Sequence, residues 1–178
     1  MVIFKKIPNW SAIASVYAIA VIFIYGWTAY WFIWKLPSWI YYLSITEILA
    51  LIAYSAFANL LESLLVFSVP LILALILPKQ WFFDRFVSAG SLLGLLIGGY
   101  LIYFSSVSEA AVNFSYTPLI QAIVFFIVAI GLSISASRVH MVSSLITFFA
   151  DRTQIFLYLS LPVSVLSVFV VIARNLIK

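Results

Sequence analysis

The feature that most constrains this chain is an apolar stretch from Trp39 to Leu77 in which Glu47 and Glu62 are the only charged residues. Other apolar runs, each about a helix long, follow Arg85 and Arg152 and precede Arg138. Over all 178 residues, 66% are hydrophobic and 8% charged, against roughly 25% charged in a soluble domain. A fold of this length has no interior large enough for so much apolar surface, so lipid is the solvent for most of it. The expectation is an all-α, polytopic transmembrane helix bundle. The length allows one such bundle and no sizeable soluble domain.

A helix crossing a hydrocarbon core of about 30 Å needs roughly 20 residues. That rule places five spans at about 10–31, 58–77, 86–104, 118–136 and 153–173. Trp10 marks one interface, and Trp27, Tyr30, Trp31, Trp34, Trp39, Tyr41 and Tyr42 crowd the other, where amphipathic rings prefer to lie. Residues 43–77 as a single helix would be about 52 Å long. Residues 43–57 are therefore expected to extend outside the core or lie along its surface, and Pro78 to end the second span. Pro70 and Pro162 fall inside spans, where a proline removes a helical hydrogen bond and introduces a kink. The beginning of the chain resembles a signal peptide, with Ala18-Ile19-Ala20 as a cleavage site. Its apolar run continues past Tyr30, however, which is too long for that role, and reads as a retained first span.

The net charge of +4 does not point to nucleic acid, because the basic residues sit near the ends of apolar runs. That is the pattern of topology signals and headgroup contacts. A cytoplasmic N-terminus puts Lys5, Lys6, Lys79, Arg85, Arg138 and Arg152 inside, and Lys35, Arg174 and Lys178 outside. The positive-inside rule favours this placement in a cell membrane, although the basic C-terminus runs against it. A six-span arrangement would move Lys79, Arg85, Arg138 and Arg152 to the outside.

Little reactive chemistry is encoded. The absence of cysteine excludes disulfides, thiolate nucleophiles and iron–sulfur clusters. The single His140 falls short of bis-histidine haem ligation and of an ordinary zinc site. No HExxH, GxSxG, Walker A or GxGxxG motif occurs, and these are the local signatures of metalloproteases, hydrolases and nucleotide sites. The five acidic residues are dispersed. No cofactor or metal is expected.

Three patterns stand out. Gly90, Gly94 and Gly98 recur every four residues, which lets another backbone approach one face of span three. Ala129, Ser133 and Ser137 repeat the spacing in span four. These faces suit packing within the bundle, docking of another subunit or a permeation path. Next, Glu47, Ser55, Asn59 and Glu62 fall within an arc of about 120° on one helix. Glu47, Asn59 and Glu62 of this stripe, with Gln121, form a possible ion or polar site, since ionisable residues in spans are costly and often functional. The 16 residues from Glu62 to Pro78 amount to about 24 Å, which sets Glu62 near the outer interface. Last, His140, Ser144, Thr147 and Asp151 line one side of the connector between spans four and five, with apolar residues on the other. This predicts an amphipathic interfacial helix. Asp84-Arg85 and Asp151-Arg152 precede spans three and five, as helix-capping acids and inner-surface anchors.

The segment Lys35-Leu36-Pro37-Ser38-Trp39-Ile40-Tyr41 is similar over a few residues to the first loop of the tryptophan-rich translocator proteins. It carries an extra residue and lacks their Pro-Pro pair, so no function is carried over. The leading expectation is a cofactor-free subunit that packs with other membrane proteins or with itself, in which Gly94→Leu disrupts assembly. The alternatives are a small transporter or channel using Glu47, Asn59, Glu62 and Gln121, and a membrane enzyme using Asp84, Arg85, His140, Asp151 and Arg152 on lipid-linked substrates.

Overall fold

Asn9 starts the first helix: its side-chain oxygen accepts a hydrogen bond from the Ala12 N–H at 2.8 Å, satisfying a donor that a helix N-terminus leaves open. The computed structural model describes residues 8–108 and 117–176. Lys5, Lys6, Lys178 and residues 109–116 lie outside the described residues. Helix α1 runs from Trp10 to Tyr42 with Pro37 inside it. After Leu43 and Ser44, α2 runs from Ile45 to Ile76. A 3₁₀ turn at Phe83–Arg85 leads into α3, Phe86–Ser108. Helices α4 (Thr117–Ala136), α5 (His140–Thr153) and α6 (Ile155–Leu176) complete the described chain.

Residues 43–57 do not separate from the second span. Glu47 Oε2 accepts from the Ser44 N–H at 2.8 Å, and Ser44 Oγ accepts from the Glu47 N–H at 3.4 Å. This capping box starts α2 at Ile45, and each such cap stabilises a helix by about 1 kcal/mol. No break follows before Ile76, since the helix continues through Pro70. The first helix likewise continues past the expected end at Trp31 to Tyr42. At 1.5 Å per residue, α1 and α2 are about 50 and 48 Å long. They form a helical hairpin longer than a hydrocarbon core is thick. The Arg174 guanidinium near the end of α6 stands 5.8 Å from the Tyr54 ring. The α2 residues before Tyr54 therefore carry the hairpin tip roughly 10 Å past α6.

Five helices are long and apolar enough to cross a membrane, and the chain is a multi-pass helical membrane protein. α5 is shorter and amphipathic, as expected for a connector. The centre of the bundle is α3 with α1: α1 packs on α2, α3, α5 and α6, while α3 also packs on α2, α4 and α5. Half of the α3 span is buried, against 11% of the α4 span, so α4 faces the surroundings along most of its surface.

Small residues hold the centre together. A methyl group on Gly90 would meet Val16 at 3.2 Å and Pro70 at 3.4 Å. One on Gly94 would meet Ile19 at 3.4 Å, and one on Gly98 would meet the Phe23 ring at 2.9 Å. The glycine face is thus filled by α1, with Pro70 of α2 at its lower end. Ala129, Ser133 and Ser137 of α4 are also buried. A third seam is formed by buried Ser160, Ser164 and Ser167 of α6. Buried hydroxyls such as those of Ser133 and Ser164 bond to backbone carbonyls in the preceding turn, which satisfies them within their own helix.

Candidate functional site: a groove between α2 and α3

Helices α2 and α3 touch where Pro70 meets Gly90 and enclose a groove toward the hairpin end. Phe23, Ile24, Trp27 and Thr28 of α1 form its floor. One wall is α2 from Ser55 to Val69, and the other is α3 from Ile97 to Ser105, with Phe126 of α4 at the margin. The volume is about 740 Å³. The α2 wall extends over 14 residues, about 21 Å. Ala58, Glu62, Leu65, Leu101 and Phe104 line it and are exposed, so the groove is open along one side.

Most of the lining is apolar, with a polar strip on the α2 wall. Asn59 is buried, and its Oδ1 accepts from Thr28 Oγ1 at 2.8 Å. Ser55 lies one turn above, and Glu62 nearly one turn below. Glu62 makes no hydrogen bond or ion pair with another described residue, and the lining holds no lysine or arginine. It lies eight residues below Tyr54, about 12 Å along the helix, inside a helix long and apolar enough to cross a membrane. A charged side chain at the centre of a membrane costs about 2.5–3.5 kcal/mol on insertion scales, less toward the edge.

The four residues singled out as a polar site divide. Asn59 and Glu62 share the groove, together with Ser55. Glu47 is occupied in the capping box and faces a separate cleft with Tyr54 and Arg174. Gln121 is exposed on α4, away from the groove lining. Thr28, which fixes the Asn59 side chain, was not visible as a site residue. It is one hydroxyl in an aromatic run, and no local spacing ties it to α2.

At the opposite end, Asp84 and Arg85 are exposed in the 3₁₀ turn. They border a cleft of about 360 Å³ with Ser143 and Thr147 of α5. Asp151 faces elsewhere: the Ser15 hydroxyl is 2.9 Å from its Oδ1, and Gln154 donates to the same hydroxyl at 2.6 Å. This node ties the α5–α6 junction to α1. His140 is exposed and does not line that cleft, and the Arg152 guanidinium lies 5.2 Å from the Phe148 ring. The five groups do not converge on one point. Among the described residues no three His, Asp or Glu side chains are grouped to hold a metal ion.

No protein-family model, curated protein or solved structure matches the chain.

Proposed function

We propose that the chain is a cofactor-free membrane protein that binds a small amphiphilic solute in the α2–α3 groove and serves its transport. The observation that supports this is Glu62, a carboxyl group with no partner among the described residues, on the wall of a laterally open, largely apolar groove. Drug-sized ligands occupy sites of about 300–1,000 Å³ with few polar groups, and the groove falls within that range. With a cytoplasmic N-terminus, the hairpin tip and the groove belong to the outer half of the bilayer.

The test is native mass spectrometry of the full chain released from lipid nanodiscs. Ala58 lines the groove and is exposed, so Ala58→Trp fills the space without entering the core. The expected result is a bound amphiphile on the wild type that Ala58→Trp lacks. Identical ligand-free spectra for the two proteins would remove the reading.

A second reading, a supporting subunit of a larger membrane complex, is favoured by the hairpin tip. Trp34, Ile40, Tyr41, Tyr42 and Ile45 are exposed there, and apolar patches of this kind mark interaction surfaces. Assembly would then run through the tip, because the Gly90, Gly94 and Gly98 face is occupied by α1. Stoichiometric co-purification of other membrane proteins, lost on Tyr41→Ser with Ile40→Asn, would support this second reading. Its absence would count against it.

A further inference from the structure

We infer that the occupant of the groove is a cationic amphiphile, whose positive headgroup pairs with Glu62 while its apolar part lies on the α1 and α3 walls. The inference rests on the groove being a binding site and adds the chemical class of the ligand. It starts from charge. Glu62 faces the groove with no basic residue in the lining and no hydrogen-bonded partner among the described residues. Arg174, on α6, borders the cleft holding Glu47 and Tyr54 instead. An uncompensated carboxylate within a span favours any occupant that brings a positive charge, because attraction between opposite charges is stronger where water is scarce.

The remaining lining fits the same class. Phe23, Trp27, Phe104 and Phe126 bring aromatic rings to the groove, and aromatic faces attract alkylammonium groups. A bare metal ion fits poorly: hard cations take six or more oxygen ligands, and the groove has one carboxylate. An anionic amphiphile would meet Glu62 with like charge. Thr28 donates to Asn59 Oδ1, and Glu62 is the one charged acceptor among the described lining residues. The open side lets an amphiphile enter from the lipid without crossing the aqueous phase.

The experiment uses the full chain in phosphatidylcholine nanodiscs and two photoreactive probes. One is a dodecyl chain with a diazirine ending in trimethylammonium, and the other is the same chain ending in a hydroxyl. Labelled residues are mapped by peptide mass spectrometry. The cationic probe is expected to label 55–69 and 97–105 about tenfold more than the neutral one, the order of one charge-assisted contact. Glu62→Gln should bring the two probes level, Glu62→Asp should keep the preference, and Ala58→Trp should block both. Circular dichroism and gel filtration check that each variant is folded, and the exposure of Glu62 and Ala58 favours that outcome. Equal labelling by both probes, blocked by Ala58→Trp and unchanged by Glu62→Gln, overturns the cationic ligand while leaving a binding groove. No groove labelling by either probe removes the groove reading itself. A photoreactive residue at position 58 that captures a stoichiometric membrane polypeptide in native membranes also overturns the inference, since a partner helix then fills the space.

Discussion

Helices α2 and α3 are neighbours along two stretches that differ in kind. Toward α5 they are closed: Gly90 sits against Pro70 and Val16, and Ala74, Ala89 and Leu93 are fully buried around them. Toward the hairpin tip the same helices enclose a groove of about 740 Å³ with Glu62 on its wall. The closed stretch is made of small residues whose size allows contact and whose chemistry is inert. The open stretch carries the polar strip, and α1 fills the space between only up to Phe23 against Gly98. Small-residue spacing in this chain marks helix contact, whereas the exposed carboxyl of Glu62 lies where α2 and α3 stand apart.

Substitutions at the closed and open stretches are expected to differ in size. The largest effect is expected from Gly90→Leu, whose side chain has no room between Val16 and Pro70. A loss of about 3 kcal/mol or more is expected from such overpacking, measured by unfolding in increasing detergent denaturant. Gly98→Ala is expected to cost about 1–3 kcal/mol, because its methyl would meet the Phe23 ring at 2.9 Å. The adjacent Gly99 has nothing within 4 Å, so Gly99→Ala should be neutral or stabilise by up to about 1 kcal/mol. Equal losses at the two positions would contradict the packing of α1 on α3. Thr28→Val leaves Asn59 Oδ1 without its donor and is expected to cost about 1 kcal/mol, read in the same assay. Ala58→Trp, in the open stretch, should change stability by less than about 0.5 kcal/mol while abolishing ligand retention. A large destabilisation there would mean that the groove is closed in the membrane.

The sequence was informative wherever one helix decides the matter. The Gly90, Gly94 and Gly98 spacing, the amphipathic connector and the apolar lengths are all local patterns with a helical period. The continuity of α2 is also encoded locally, in the Ser44–Glu47 capping box, which apolar length alone does not reveal. What is not local was not legible. That α1 rather than another subunit occupies the glycine face depends on the three-dimensional order of the helices. So does the meeting of Thr28 with Asn59, 31 residues apart in sequence. The Glu47–Glu62 stripe divides in the structure: Glu47 caps the start of α2, while Ser55, Asn59 and Glu62 line the groove.

The most direct test of the open and closed stretches exploits the lack of native cysteine. Single thiols are placed by Ala58→Cys in the groove and Ala89→Cys at the closed end, where Ala89 is fully buried. Both proteins, in phosphatidylcholine nanodiscs, are treated with N-ethylmaleimide, with and without dodecyltrimethylammonium. Ala58→Cys is expected to react at least about tenfold faster than Ala89→Cys, as access controls thiol reactivity, and the alkylammonium to slow only the former. Equal rates at the two positions, or an Ala58→Cys rate indifferent to the alkylammonium, would contradict this expectation.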